Sequence, residues 1–214
     1  IKKISYKTPE HFISEGTTYL ETSEGSLPLM IFGSHNVLNL AGAQWIAQLM
    51  GLDSSDFYEA IPSFKGASKR LELLVKSATA FLYKDFAHAP SKVKATSSAL
   101  KAQFPRKKIT VCVELHTYSS LDSKFIIQYA NTLDAADEVM VFYDPEALKI
   151  KNRDAIPPET IKRAFDHPVL EVFTQTASLE SNLLERDYNE EVLVMMSSGN
   201  FGGLNWEALQ SRFT

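Results

Sequence analysis

The order of apolar and polar positions changes character about a third of the way along this 214-residue chain. The first part alternates short extended segments with turns. Thr17 to Thr22, a break at Glu24-Gly25-Ser26, and Leu27 to Phe32 predict a β-hairpin, which Gly33-Ser34 ends. From Asn36 to Met50 the apolar residues Val37, Leu38, Ala41, Trp45, Ile46 and Leu49 recur at helical spacing, and Gly51 supplies a terminator. Asp53 to Ile61 predicts a second short helix closed by Pro62. The turn-rich stretch from Ser63 to Ser68 is then the best domain boundary, separating residues 1–68 from 69–214.

Beyond Lys69 the pattern becomes a regular exchange of strands and helices. Strands are predicted over Leu71–Val75, Ala80–Phe86, Lys108–Leu115, Glu138–Tyr143, Val169–Phe173 and Val192–Met196. Helices are predicted over Ser91–Gln103, Ser123–Ala135, Pro158–Phe165, Leu179–Arg186 and Leu204–Phe213, with Gly199–Gly203 as a turn. Near-continuous apolar strands separated by helices point to an α/β fold with a mostly parallel sheet covered on both faces. Such sheets keep their ligand-binding groups at the carboxyl ends of the strands.

Composition narrows the classes. Hydrophobic content of 44% is that of an ordinary globular chain, and the net charge of -4 leaves no electrostatic footprint for nucleic acid or anionic lipid. No apolar run approaches the roughly 18 residues that span a bilayer. The single cysteine, Cys112, lies within Ile109–Val113 and reads as a buried structural thiol. The chain opens at Ile1 without methionine, and the polar stretch to Tyr6 is unlike a signal peptide, so the expectation is a segment that starts inside a longer protein.

Four polar clusters stand out. Gly33–Asn39 sits at a strand-to-helix junction, and its Asn36 and Asn39 share one helix face, where two carboxamides suit a purine edge; capping the helix is the competing role. Arg70 follows the connector and is placed to reach nucleotide phosphates, with a surface ion pair to Glu72 as the alternative. Asp85 and His88 fall at a strand end: the carboxylate suits ribose hydroxyls or a helix cap, and the histidine suits an incoming amine or a half-buried structural site. Glu114–Ser120, with His116, ends another apolar strand.

The order and spacing of Gly33-Ser-His-Asn-Val-Leu-Asn39, Phe64 through Arg70, and Asp85-Phe-Ala-His88-Ala-Pro90 resemble the Mur ligases, in the branch that adds alanine or a recycled tripeptide to UDP-N-acetylmuramate. The likeness runs from about residue 15 to residue 214. It implies a Rossmann-like carboxy-terminal domain from about residue 69, preceded by the tail of a central ATPase domain. The implied activity is ATP-dependent: a carboxylate is activated as an acyl phosphate, and an amine then attacks to form an amide. Asn36 and Asn39 would face adenine, Arg70 the phosphates and Asp85 the ribose. His88, His116 and Tyr118 would lie toward the amino acid or peptide.

Departures from the family pattern shape the expectation. No G-x-x-x-x-G-K-[ST] loop occurs in the sequence, so the ligands of Mg²⁺ and the groups that activate phosphate are expected upstream, and this segment alone is expected to be inactive. No residue is assigned a catalytic role here. The alanine-adding enzymes end the second strand with P-H-R-Y-S-R, whereas this chain reads Leu115-His-Thr-Tyr-Ser-Ser120. Loss of both arginines removes natural partners of an amino-acid carboxylate and tilts the expected amine toward a tripeptide. Ala89 stands where the family has a second histidine. The competing functions are a non-catalytic module holding nucleotide or muropeptide, and a folylpolyglutamate-type ligase. A cytoplasmic setting, where UDP-linked precursors are made, completes the expectation.

Overall fold

The computed structural model describes residues 3–146 and 156–214. By internal contacts the chain divides into two compact units, Ile1–Gly66 with Ala102–Pro105, and Ala67–Lys101 with Arg106–Thr214.

The first unit is built on a three-stranded antiparallel meander, β1 (His11–Ser14), β2 (Thr17–Thr22) and β3 (Gly25–Leu29). The predicted hairpin is β2–β3, with the second strand starting earlier, at Gly25. The sequence reading missed β1, whose four residues are all half-buried or exposed and so leave no apolar alternation to find. A tight turn at Glu15-Gly16, both at positive φ, joins β1 to β2 in the geometry that suits strand twist. Helix α1 (Ser34–Leu49) and the short α2 (Ser54–Ala60) follow, and Asp53 caps α2 by accepting the Asp56 N–H. Pro62 lies inside a 3₁₀ turn, Ile61–Ser63, rather than closing the helix before it. Leu20, Leu29, Val37 and Leu40 make the core of this unit.

The second unit carries a six-stranded sheet in the order β4-β5-β9-β6-β7-β8. Its strands are β4 (Glu72–Lys76), β5 (Phe81–Asp85), β6 (Lys108–Glu114), β7 (Glu138–Phe142), β8 (Leu170–Phe173) and β9 (Glu191–Met196). All neighbours pair in parallel except β4, which forms an antiparallel edge with β5. This is the mostly parallel α/β sheet that the apolar runs predict. All six residues of β9, and every residue of β6 after Lys108, are buried, so both faces of these central strands are covered. Helices α3 (Pro90–Gln103), α4 (Pro158–Phe165), α5 (Thr176–Glu185) and α6 (Trp206–Gln210) connect or follow the strands. The final segment is shorter than predicted as an α-helix: Asn205 caps α6, and Ser211–Phe213 tightens into 3₁₀.

One predicted helix is absent. Ser123–Ala135 folds instead as successive tight turns with a 3₁₀ segment at Ile126–Tyr129. Backbone bonds here run from residue i+3 to residue i, as from Gln128 N to Phe125 O and from Thr132 N to Tyr129 O. The Thr132 hydroxyl takes the same Tyr129 carbonyl at 2.6 Å, and Asn131 adopts a left-handed φ of 58°, which breaks any helix.

At the amino ends of the central strands Arg186 forks onto Glu138 at 2.6 and 2.7 Å and approaches Glu191 at 3.5 Å. Lys108 pairs with the same two carboxylates. This network ties the starts of β6, β7 and β9 together at the edge opposite the polar strand ends. Cys112 is fully buried in β6, and burial pushes its thiol well above the ordinary value.

Candidate functional site

In the first unit, Gly33 at φ 87° turns the chain from β3 into α1. Its carbonyl accepts the N–H groups of Asn36 and Val37, and no side chain caps the helix. Asn36 is therefore not a cap. Its Nδ2 donates to the Phe32 carbonyl at 2.9 Å, which orients the carboxamide one turn into the helix. One amide hydrogen is used in this way. The group has a second N–H and a carbonyl, the donor–acceptor pair that an adenine edge requires. Asn39, one turn on, is exposed.

In the second unit the segment that carries Arg70, just before β4, is joined by a backbone hydrogen bond to the segment at the end of β5 that carries Asp85 and His88. Arg70 is exposed and lies between Lys69 at φ 58° and Leu71 at φ 49°, two left-handed residues without glycine's freedom. The Lys69 carbonyl accepts the Phe86 N–H at 2.8 Å, which ties this kink to the segment after Asp85. Glu72 does not pair with Arg70; its carboxylate accepts the Lys69 N–H.

Asp85 ends β5 and is buried. Its carboxylate accepts the Thr96 hydroxyl at 2.5 Å and the Ala87 N–H at 3.3 Å. Helix α3 begins at Pro90, with the Ala89 carbonyl taking its first N–H groups, so Asp85 does not cap it. Two acceptor positions of roughly four on a carboxylate are in use. His88 Nδ1 stands 2.8 Å from the Phe86 carbonyl, a geometry that places the proton on Nδ1. The buried Tyr129 donates its hydroxyl to the His88 carbonyl and stacks on Phe165 at 4.8 Å, pinning the segment from the 3₁₀ turn.

His116, just past the end of β6, and Tyr118 are both exposed. Tyr118 lines an open depression with Asp122, Lys124, Phe125 and Gln128. Between Asp85 and His116 lies a set of groups given no role by the sequence reading. Because β9 is inserted between β5 and β6, Ser197 binds both neighbours: its N–H donates to the Asp85 carbonyl and its hydroxyl to the Glu114 carboxylate. Glu114, 3% exposed, also accepts the Phe201 N–H at 2.9 Å and faces His116 Nδ1 at 3.7 Å. A charged residue closing a buried apolar strand is the signal that exposes this cluster, since a buried carboxylate requires partners.

Among the described residues no three His, Cys, Asp or Glu side chains group as metal ligands. Asp85 and Glu114 both accept hydrogen bonds from protein donors. No helix among the described residues is long and apolar enough to cross a membrane.

The polar side chains gather at the carboxyl ends of β5, β9 and β6, the edge at which open α/β sheets commonly bind ligands. No protein-family model matches the chain. It is 35% identical over 135 residues, 63% of its length, to UDP-N-acetylmuramate–L-alanine ligase of Caldicellulosiruptor bescii, of which that match covers 29%. In fold it is similar to UDP-N-acetylmuramate–alanine ligase from Thermotoga maritima, with TM-score 0.68, 19% identity, and 95% of this chain matching 44% of that one. A MurF ligase from Thermotoga maritima solved with ADP gives TM-score 0.64 at 18% identity, again over 95% of this chain and 44% of the other. The chain thus spans less than half the length of each of these three proteins. In sequence and in fold the chain is similar to the carboxy-terminal part of Mur ligases.

Proposed function

We propose that this chain is the carboxy-terminal portion of an ATP-dependent ligase that joins an amine to the carboxylate of UDP-N-acetylmuramate in peptidoglycan synthesis or recycling. The observation that carries the reading is the convergence of Asp85, Ser197, Glu114 and His116 at one edge of a parallel sheet, on a chain 35% identical to a named ligase of this kind. On this reading residues 1–68 are the end of the central ATP-binding domain and residues 69–214 the carboxy-terminal domain. Asn36 and Asn39 face the adenine, Arg70 the phosphates and Asp85 the ribose. His88, His116 and Tyr118 lie toward the incoming amine. Mg²⁺ and the groups that activate phosphate belong to other parts of the full-length protein, so the segment by itself does not turn over. The reaction is set in the cytoplasm, with its UDP-linked substrate.

The relatives' names support L-alanine as the amine. The absence of arginine from Leu115 to Ser120 supports a tripeptide instead, because a free amino acid offers a carboxylate that needs such partners. In full-length protein, Arg70→Ala and Asp85→Ala should each lower turnover by on the order of 100-fold or more, with circular dichroism unchanged. Wild-type kinetics in both variants would remove these residue roles.

A further inference from the structure

We propose that Glu114 is a positioning residue that fixes the tautomer of His116, with the proton on Nδ1 and the lone pair on Nε2. Three observations converge on it. The Glu114 side chain is almost wholly buried, and its Oε2 is committed to the Ser197 hydroxyl and the Phe201 N–H. Its Oε1 faces His116 Nδ1 at 3.7 Å, while the imidazole itself remains 46% exposed. A carboxylate oxygen at that distance favours an N–H over a lone pair on the facing nitrogen, and the partner of one ring nitrogen sets the state of the other.

The third observation is the close approach of the loop after β9. A Cβ on Gly199 would stand 2.8 Å from Glu114 Oε2 and 2.9 Å from His116 Nδ1 and Cγ. Glycine alone lets this backbone close against the pair, and the Gly199 N–H is itself held by the Ser197 hydroxyl at 2.6 Å. The ring is therefore confined between the carboxylate and the loop. Nδ1 faces the protein, and Nε2 becomes the basic nitrogen. Resting on the ligase reading, this makes Nε2 of His116 the acceptor of the proton that the amine nitrogen gives up as its bond to the acyl carbon forms and the acyl–phosphate C–O bond breaks, with inorganic phosphate leaving. Glu114 acts only through the imidazole.

The test is made on the full-length protein by long-range ¹H–¹⁵N correlation of the histidine rings, at a pH where imidazole is neutral. The His116 signals are identified by their loss in His116→Gln. The expected spectrum shows a protonated Nδ1 and an unprotonated Nε2, and Glu114→Gln moves the proton to Nε2. A wild-type His116 protonated on Nε2 overturns the proposal, as does an Nδ1 proton that persists in a folded Glu114→Gln protein. A second arm in full-length protein follows phosphate release: Glu114→Gln should lower kcat about tenfold or more while leaving KM for ATP unchanged. Failure of wild-type phosphate release would count against the ligase reading alone, because the tautomer is read without turnover.

Discussion

Replacing Arg186 with methionine offers a quantitative test of what holds the central strands together. The substitution keeps much of the apolar stem and removes the guanidinium fork. Glu138, first residue of β7, loses two short bonds, and Glu191, first residue of β9 and 2% exposed, loses its 3.5 Å approach. Lys108 remains near both. Hydrogen bonds from Arg186 are the largest cause of the Glu138 carboxyl being held down to about 2 from an ordinary 4.5. At 1.36 kcal/mol per unit this difference corresponds to roughly 3 kcal/mol. A fifth of the Glu138 side chain sees water and Lys108 retains part of the effect, so about 1–2 kcal/mol is the expected share of Arg186. Leaving the buried Glu191 less compensated brings the total loss to about 2–4 kcal/mol at about pH 7.

The pH dependence follows from the sign of the shift. A carboxyl held below its unfolded value adds stability that is full above that value and disappears as pH falls through the folded one. The gap between wild type and Arg186→Met should therefore be widest above pH 4.5 and narrow toward pH 2, the window set by Glu138. Urea unfolding of both proteins at about pH 7 and about pH 3 measures it. A stability loss of equal size at both pH values would refute the electrostatic account and leave only lost packing.

Gly199→Ala should destabilise the protein by about 1–3 kcal/mol, because Glu114 and His116 must shift to admit a methyl group; an unchanged Tm would contradict the close approach. Tyr129→Phe removes the hydroxyl that binds the His88 carbonyl and should cost about 1–3 kcal/mol, with faster exchange of amide hydrogens around Phe86–Ala89; normal protection there would show that Tyr129 does not pin this segment. Cys112, wholly buried with its thiol pushed up, should ignore a thiol reagent in native protein and react once in denaturant, whereas rapid native labelling would contradict its placement in β6.

Much of this architecture is legible in local pattern. The apolar runs at Ile109–Val113, Val139–Phe142 and Val192–Met196 announce buried parallel strands because both of their faces are covered. Pro158–Phe165 is legible as a helix to the residue, since proline at its first position and spaced apolar residues agree. Local pattern fails where side chains compete with the backbone, as from Asp122 to Thr132, where Asp122 and Thr132 bind neighbouring main-chain groups and Asn131 turns left-handed. It fails too at β1, an exposed strand defined by its partner. The cluster around Glu114 was illegible for a different reason. Ser197 and Glu114 are 83 residues apart, and only the insertion of β9 between β5 and β6 makes them neighbours. Asn36 shows the converse: capping was the competing role for this residue, and its carboxamide is instead tied to Phe32, because Gly33 already supplies the turn.

The most direct test of the account is phosphate release by the full-length protein supplied with ATP, UDP-N-acetylmuramate and either L-alanine or the tripeptide. Release should require the UDP-linked acid and one of the two amines together, with an amide product. No release with either amine, or release indifferent to the UDP-linked acid, would contradict it.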